Sequence, residues 1–139
     1  AAGKNPGLAV RDAVLRQDRY GFAFNLNNTA LRDRFDDALR ELLQRGRMKE
    51  ILAGWLDGLP VPPSAESGAR TGGVLRLGIF ADSAPFVFPG PDGGFQGIEV
   101  DISKAVCALL GPSLQIIDVG GFDAMCDAVL DGPADFIAG

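Results

Sequence analysis

The alternation of strands and helices between Val74 and Gly139 constrains the fold more than any other feature of this sequence. The run Val74–Phe80 is β-branched and apolar, follows two glycines, and is typical of a buried strand. After a turn-rich insert, the pattern predicts a helix over 101–110, a strand over 114–119, a helix over 122–130 and a strand over 134–138. Connections this short favour parallel neighbouring strands, so the segment indicates an α/β fold.

The predicted topology also indicates where a ligand would bind. Crossovers between parallel strands are right-handed, so a sheet of order 2-1-3 has helices on both faces. In open sheets of this kind, ligands bind where the strand order reverses, at the carboxyl ends of strands one and three. The loops that arrive there are 81–88 and 120–122, together with Ala138 and Gly139. The sequence therefore predicts a small-molecule site at this edge.

Composition argues against several other functions. The chain has 139 residues, the size of one domain, and no apolar run approaches the roughly 20 residues of a membrane span. A net charge of −5 with scattered basic residues predicts no nucleic-acid partner. The chain has no histidine, which argues against an enzyme and against most metal sites. Glu99 and Asp101 are interpreted as N-terminal caps and dipole partners of a helix, not as a catalytic pair.

Both cysteines, Cys107 and Cys126, fall on the apolar stripes of predicted helices. With strand order 2-1-3 a sheet separates these helices, and Cα atoms that far apart cannot form a disulfide. We expect two free, buried thiols that act as small hydrophobes.

The first half of the chain has one predicted strand, Tyr20–Phe24, and two amphipathic helices. The first helix spans 30–45, with Asn28 or Thr29 as its cap and Gly46 as its end; the second carries Met48, Ile51, Leu52, Trp55 and Leu56. Residues 57–73 are rich in proline and glycine and predict a linker, which can reach about 55 Å when extended. Residues 1–56 are too few to bury their own faces, so we expect them to pack on the sheet that begins at Val74.

Residues 1–19 are less informative. Leu8–Val10 and Ala13–Leu15 each fit either a short strand or a helical turn. The chain begins with alanine and has no apolar signal-peptide core, which is typical of a cut or processed end.

Landmarks in both halves resemble one family, the periplasmic amino-acid-binding proteins (extracellular solute-binding proteins, family 3). Its carboxyl-terminal end is similar to the Tyr20–Phe24 strand, the Asn28-Thr29 turn, the helix closed by Gly46, and the helix carrying Trp55. Its amino-terminal end is similar to Leu75–Gly78, Ala84-Pro85-Phe86, Gly97–Asp101, Phe122-Asp123-Ala124 and Ala134–Gly139. The two ends stand here in reversed order, with the tail before the head.

The resemblance implies one lobe of a periplasmic-binding-protein clamshell, circularly permuted. Residues 1–139 would form a single lobe-1 domain, made of a former carboxyl-terminal segment (1–56), a linker (57–73) and a former amino-terminal segment (74–139). The expected fold is an α/β three-layer open sheet of order 2-1-3 plus one antiparallel strand, Tyr20–Phe24, with helices on both faces. A tandem parent cut from hinge to hinge, or an engineered chain, would give this order.

By position in the family, the ligand-binding residues would be Phe80, Ser83, Phe122, Ala138 and Gly139. Phe80 stands where some members have an acid, and Ser83 where an aromatic usually packs on the ligand, so the ligand type is open. Phe122 also fits the apolar stripe of its helix, and core packing is the alternative. The family's carboxylate-binding arginine would follow Gly139, and its ammonium-binding acid belongs to lobe 2. We therefore expect no detectable amino-acid binding by this chain alone.

The function implied is that of a ligand-binding lobe outside the cytoplasmic membrane, periplasmic or extracellular. Its partners would be an amino acid or related polar solute and, in the intact two-lobed parent, the permease of an ABC transporter. No cofactor, nucleic acid or membrane insertion is expected. Two alternatives are a tandem solute-sensing ectodomain of a membrane signalling receptor, and a designed or excised half-protein scaffold without activity.

Overall fold

A computed structural model describes residues 17, 19–61 and 71–139. The interpretations of Leu8–Val10 and Ala13–Leu15, and the middle of the linker, lie outside these residues. The elements are β1 (Phe22–Phe24), α1 (Thr29–Gln44), α2 (Arg47–Asp57), β2 (Val74–Ile79), β3 (Phe88–Pro89), β4 (Phe95–Gln96), α3 (Ile98–Leu110), β5 (Ser113–Asp118), α4 (Phe122–Leu130) and β6 (Phe136–Ala138).

Four of the strands form one mixed sheet in the order β1-β6-β2-β5, and β3 and β4 form a separate small hairpin. β2 runs parallel to both β5 and β6, and β1 pairs antiparallel with β6, with Ala23 opposite Ile137. The α/β class and the predicted order, 2-1-3 plus an antiparallel strand, are therefore confirmed. β1 is shorter than the five residues predicted, and β6 begins two residues later than predicted.

The larger core lies between the sheet and the helices α1, α2 and α3. Its centre is a group of four phenylalanines, with Phe35 of α1 packed against three rings of the sheet at centroid distances of 4.9 to 5.2 Å. The three rings belong to Phe22, Phe24 and Phe136. Since these rings come from both halves of the chain, the first half contributes directly to the core of the second.

The opposite face of the sheet is covered by α4 and has a smaller core. Successive residues of a strand point to opposite faces, so Ile137 lies on this side and its neighbour Phe136 on the other. Gly78 also faces α4, where a Cβ would come within 3.0 Å of the Ala134 Cβ and 3.1 Å of the Ile137 Cγ2. The α4 face is thus tightly packed at the centre of the sheet.

The helix boundaries in the first half follow the sequence signals. The Asn28 side chain accepts a hydrogen bond from the Leu31 N–H at 3.4 Å and caps α1, as predicted. Gly46 has a φ of 76° and separates α1 from α2. A left-handed residue between the two helices is the conformation that favours glycine.

α3 begins at Ile98, three residues before the predicted start. Glu99 and Asp101 both lie in its first turn, where a carboxylate interacts favourably with the helix dipole, but no side chain caps the helix, so the cap part of their interpretation is wrong. The first turn of α3 is satisfied by backbone: the Ile98 and Glu99 N–H groups donate to the Pro85 and Phe86 carbonyls, both at 3.0 Å. The start of α3 lies so close to the Phe86 backbone that position 97 must be a glycine, because a Cβ there would overlap the Phe86 carbonyl oxygen. Asp101 instead accepts a hydrogen bond of 2.8 Å from the Trp55 indole, which ties α2 to α3.

Candidate functional site

An apolar hollow of about 330 Å³ lies beside the open edge of the sheet, between β1, β6 and α4. We call it the α4 trough. Its lining residues are Gly21, Phe22, Ala23, Phe122, Met125, Cys126, Ile137, Ala138 and Gly139. Three of the five sequence-predicted site residues, Phe122, Ala138 and Gly139, therefore lie around one cavity.

The floor of the trough is the antiparallel pair β1 and β6. Gly21 and Gly139 exchange both backbone hydrogen bonds, at 3.1 and 3.2 Å, just beyond the ends of the two strands. A Cβ added to Gly139 would lie 3.7 Å from the Phe122 ring and 3.9 Å from the Met125 Cε. The residue that follows β6 therefore lies close to the side chains of both Phe122 and Met125 of α4.

Phe122 forms one wall of the trough and is 66% exposed. The alternative interpretation, in which Phe122 is a core residue of its helix, is wrong. The turn before α4 presents the residue: the Asp118 carboxylate accepts a hydrogen bond of 3.0 Å from the Gly120 N–H, and α4 begins directly after Gly121. A large ring held in solvent at the rim of a cavity is available to contact a ligand.

Asn25 connects the end of β1 to the carboxyl end of α4. Its side-chain amide donates to the carbonyls of Val129 and Leu130, at 3.2 and 2.7 Å, and so satisfies the carboxyl end of α4. Because Asn25 directly follows β1, these bonds fix α4 relative to the strand that forms the trough floor.

The two cysteines differ, which corrects the prediction that both are buried. Cys107 is buried, and burial raises the pKa of its thiol to about 11. Cys126 is exposed, since the buried side of α4 is made by Met125, Ala128 and Val129, and the Cys126 side chain lies along the trough. Both thiols are free, as expected.

The other two predicted site residues lie outside the trough. Phe80 is partly buried and packs with Val119 against the small core under α4. Ser83 is exposed in the following turn, where its backbone pairs with Val87. Both follow the carboxyl end of β2, as the topology requires, but neither lines the cavity.

Several lining residues were not predicted from the sequence, chiefly Gly21, Ala23, Met125 and Cys126. Gly21 and Ala23 could have been predicted, because the expected pairing of Tyr20–Phe24 with strand three places both residues next to Ala138. No such signal marked Met125 or Cys126, since an apolar stripe on a helix does not reveal which of its members the sheet leaves uncovered.

Among the residues that the structure describes, none with a charged side chain lines the trough. Glu99 is buried at the start of α3, and this burial raises the pKa of its carboxyl group. α3 packs in the larger core, on the other side of the sheet. The trough therefore offers apolar and aromatic contacts, backbone groups and the Cys126 thiol.

Two further features of the described part of the chain bear on the site. Residues 17, 19–61 and 71–139 contain no group of three or more side chains that could hold a metal ion. Among the helices described, none combines the length and the apolar character needed to cross a membrane.

Comparison with known proteins finds a family similarity in the second half of the chain. Residues 75–139 match the family model of the bacterial extracellular solute-binding proteins, family 3. The matched range runs from β2 to the end of β6 and so includes the trough residues of α4 and β6. No curated protein and no solved structure gives a significant match to this chain.

Proposed function

We propose that the chain is the ligand-binding lobe of an extracytoplasmic amino-acid or polar-solute binding protein. In the intact two-lobed parent, a solute would bind between the lobes and pass to the permease of an ABC transporter. The observation that carries this proposal is the position of Phe122, Ala138 and Gly139 around one hollow, within the segment that matches a solute-binding family. The hollow reaches the carboxyl end of β6, one of the parallel strands, and this location supports the same function.

We assign roles to the five residues predicted from the sequence. Phe122 packs its exposed ring on the solute, and Ala138 and Gly139 bring backbone close to it. Phe80 and Ser83 border the site from the loop after β2 and contact only a solute that extends beyond the trough.

The proposed lobe is a binder and not a catalyst. Solute-binding proteins of this family are in general not enzymes, and the described lining of the trough has no charged side chain to support catalysis. The family is typically extracytoplasmic, so we place the parent protein in the periplasm or outside the cell.

We further propose that the chain represents lobe 1 in circularly permuted order, with residues 1–56 and 74–139 forming one domain. The pairing of β1 with β6 supports this proposal, as does the aromatic group formed by both segments. Binding by one lobe alone should be weak, because an open hollow leaves most of a ligand in water.

Titration with candidate solutes at two concentration ranges, micromolar and millimolar, tests the proposed site. Calorimetry at micromolar concentration with the twenty amino acids should detect no binding. Nuclear magnetic resonance titration at millimolar concentration should shift the amide signals of Phe122, Ala138 and Gly139 for at least one polar solute, and Phe122→Ala should abolish those shifts. Phe86→Leu, a change at a half-buried ring outside the trough, is the matched control. Shifts confined to other regions would contradict the assignment.

Two alternatives rest on the same fold. A tandem sensing ectodomain would use the same trough and differ in its parent, which would contain a transmembrane helix and a signalling domain. An excised or designed scaffold would show no solute-dependent shift at all.

A further inference from the structure

The open side of β1 has backbone groups that face away from the sheet. Gly21 and Gly139 form a hydrogen-bonded pair, and in an antiparallel ladder such pairs alternate, so the next one is Ala23 with Ile137. The N–H and C=O groups of Phe22 and Phe24 therefore point outward. Among residues 17, 19–61 and 71–139, no strand pairs with this edge. These outward groups form a template for one more strand.

The surroundings of this edge favour one kind of added strand. On the α4 side, the exposed Ala23 is small, and the apolar trough lies beside it. Alternate side chains of an added strand would point over this trough, which fits small or branched apolar residues.

The charge of α4 favours basic side chains in the added strand. α4 carries Asp123 and Asp127 at exposed positions that directly follow the lining residues Phe122 and Cys126, and Asp131 follows the helix. No basic residue occurs in α4, and Arg19 before β1 offsets only part of this charge. Lysine or arginine in an added strand would complement these carboxylates.

We propose that the β1 edge and the α4 trough together bind an extended basic peptide segment of a partner protein by strand addition. The partner strand bonds to the backbone of Phe22 and Phe24, places apolar side chains over the trough, and directs basic side chains toward the carboxylates of α4. The peptide would share the trough with the proposed solute, but it alone uses the outward backbone groups of Phe22 and Phe24, so protection of these two amides distinguishes peptide binding from solute binding.

A second copy of this chain fits the edge less well. Twofold pairing of β1 with itself would place two acidic α4 helices on the same face of a joined sheet, and each chain has a net charge of −5. Like charges at an interface oppose association. The other edge of the sheet, β5, exposes polar residues, namely Ser113, Gln115 and Asp118. It therefore lacks the apolar trough and provides an internal control.

The test uses the whole chain and a labelled, end-blocked nine-residue peptide in which valine alternates with lysine. We expect binding by fluorescence anisotropy that weakens with salt. The same peptide with glutamate for lysine, or with N-methyl groups on its bonding edge, should bind at least about tenfold more weakly. Ala23→Arg should have an effect of similar size, while Asp127→Asn should weaken binding about two- to fourfold. Gln115→Arg, with the same added charge on β5, should leave binding unchanged.

Hydrogen exchange gives the decisive signature. On peptide binding, the amides of Phe22 and Phe24 should become protected, and that of Ala23, already bonded to Ile137, should not change. Absence of binding at millimolar peptide would overturn the proposal. So would binding that protects β5 instead, or protection of Phe22 and Phe24 by self-association without peptide.

Discussion

The two faces of the sheet differ in how completely helices cover them. One face is covered by three helices, and its central side chains, including Phe35, Leu77 and Phe136, have no exposed surface. On the other face, α4 is the only helix within residues 17, 19–61 and 71–139, and the trough and the exposed ring of Phe122 lie beside it. The difference indicates a division of roles, in which the three-helix face provides stability and the α4 face provides contact surface. Each of the following predictions tests that division.

The largest expected effect is on stability and belongs to the three-helix face. Phe35→Ala removes the ring at the centre of the aromatic group and should lower the free energy of unfolding by about 3–5 kcal/mol. The matched change on the other face, Met125→Ala, should cost about 2 kcal/mol, because water can enter the adjoining trough. Urea denaturation measures both, and equal losses would contradict the division.

The thiols should differ by more than about a hundredfold in labelling rate, because thiolate fraction and access both control the reaction. Cys126 on the α4 face is exposed, whereas Cys107 is buried with a pKa raised to about 11. Maleimide labelling at pH 8, followed by mass spectrometry of the peptides, distinguishes them. The variant Cys126→Ser should leave a native protein that reacts only on unfolding. Rapid labelling of Cys107 in that variant would show that the larger core is not closed.

Glu99 makes the three-helix face sensitive to pH. Burial raises the pKa of its carboxyl group above the ordinary value of 4.5, so the native state holds this proton more tightly than the unfolded chain does. The contribution of Glu99 to stability is therefore favourable at low pH and is lost as pH rises from 4.5 through the raised pKa. Glu99→Gln should raise the melting temperature at pH 7 and flatten its pH dependence. A stability gain that is the same at pH 4 and pH 7 would argue against this origin.

The smallest expected effect on stability belongs to the trough wall. Phe122→Ala should change the free energy of unfolding by less than about 0.5 kcal/mol, since the ring is mostly in solvent. The same variant should remove the solute-dependent shifts described above. A stability loss comparable with that of Phe35→Ala would show that Phe122 is a structural residue.

Sequence alone predicted the topology better than the surface. The spacing of apolar runs and the handedness of crossovers led to the order of the main sheet, and Asn28 and Gly46 marked helix boundaries through local chemistry. Exposure on α4 could not be predicted in this way, because Phe122 and Cys126 share the stripe of the buried Met125. The Trp55–Asp101 bond joins residues distant in sequence and depends on how α2 packs beside α3. Such contacts follow from the assembled core and not from a local pattern.

The central claim is that the first half of the chain completes the sheet and core of the second half. Urea unfolding followed by two probes tests it most directly, with fluorescence of the single tryptophan, Trp55, reporting the first half and labelling of Cys107 in α3 reporting the second. One cooperative unit predicts the same midpoint for both probes. Loss of the Trp55 signal at a lower urea concentration, with Cys107 still protected, would contradict the claim.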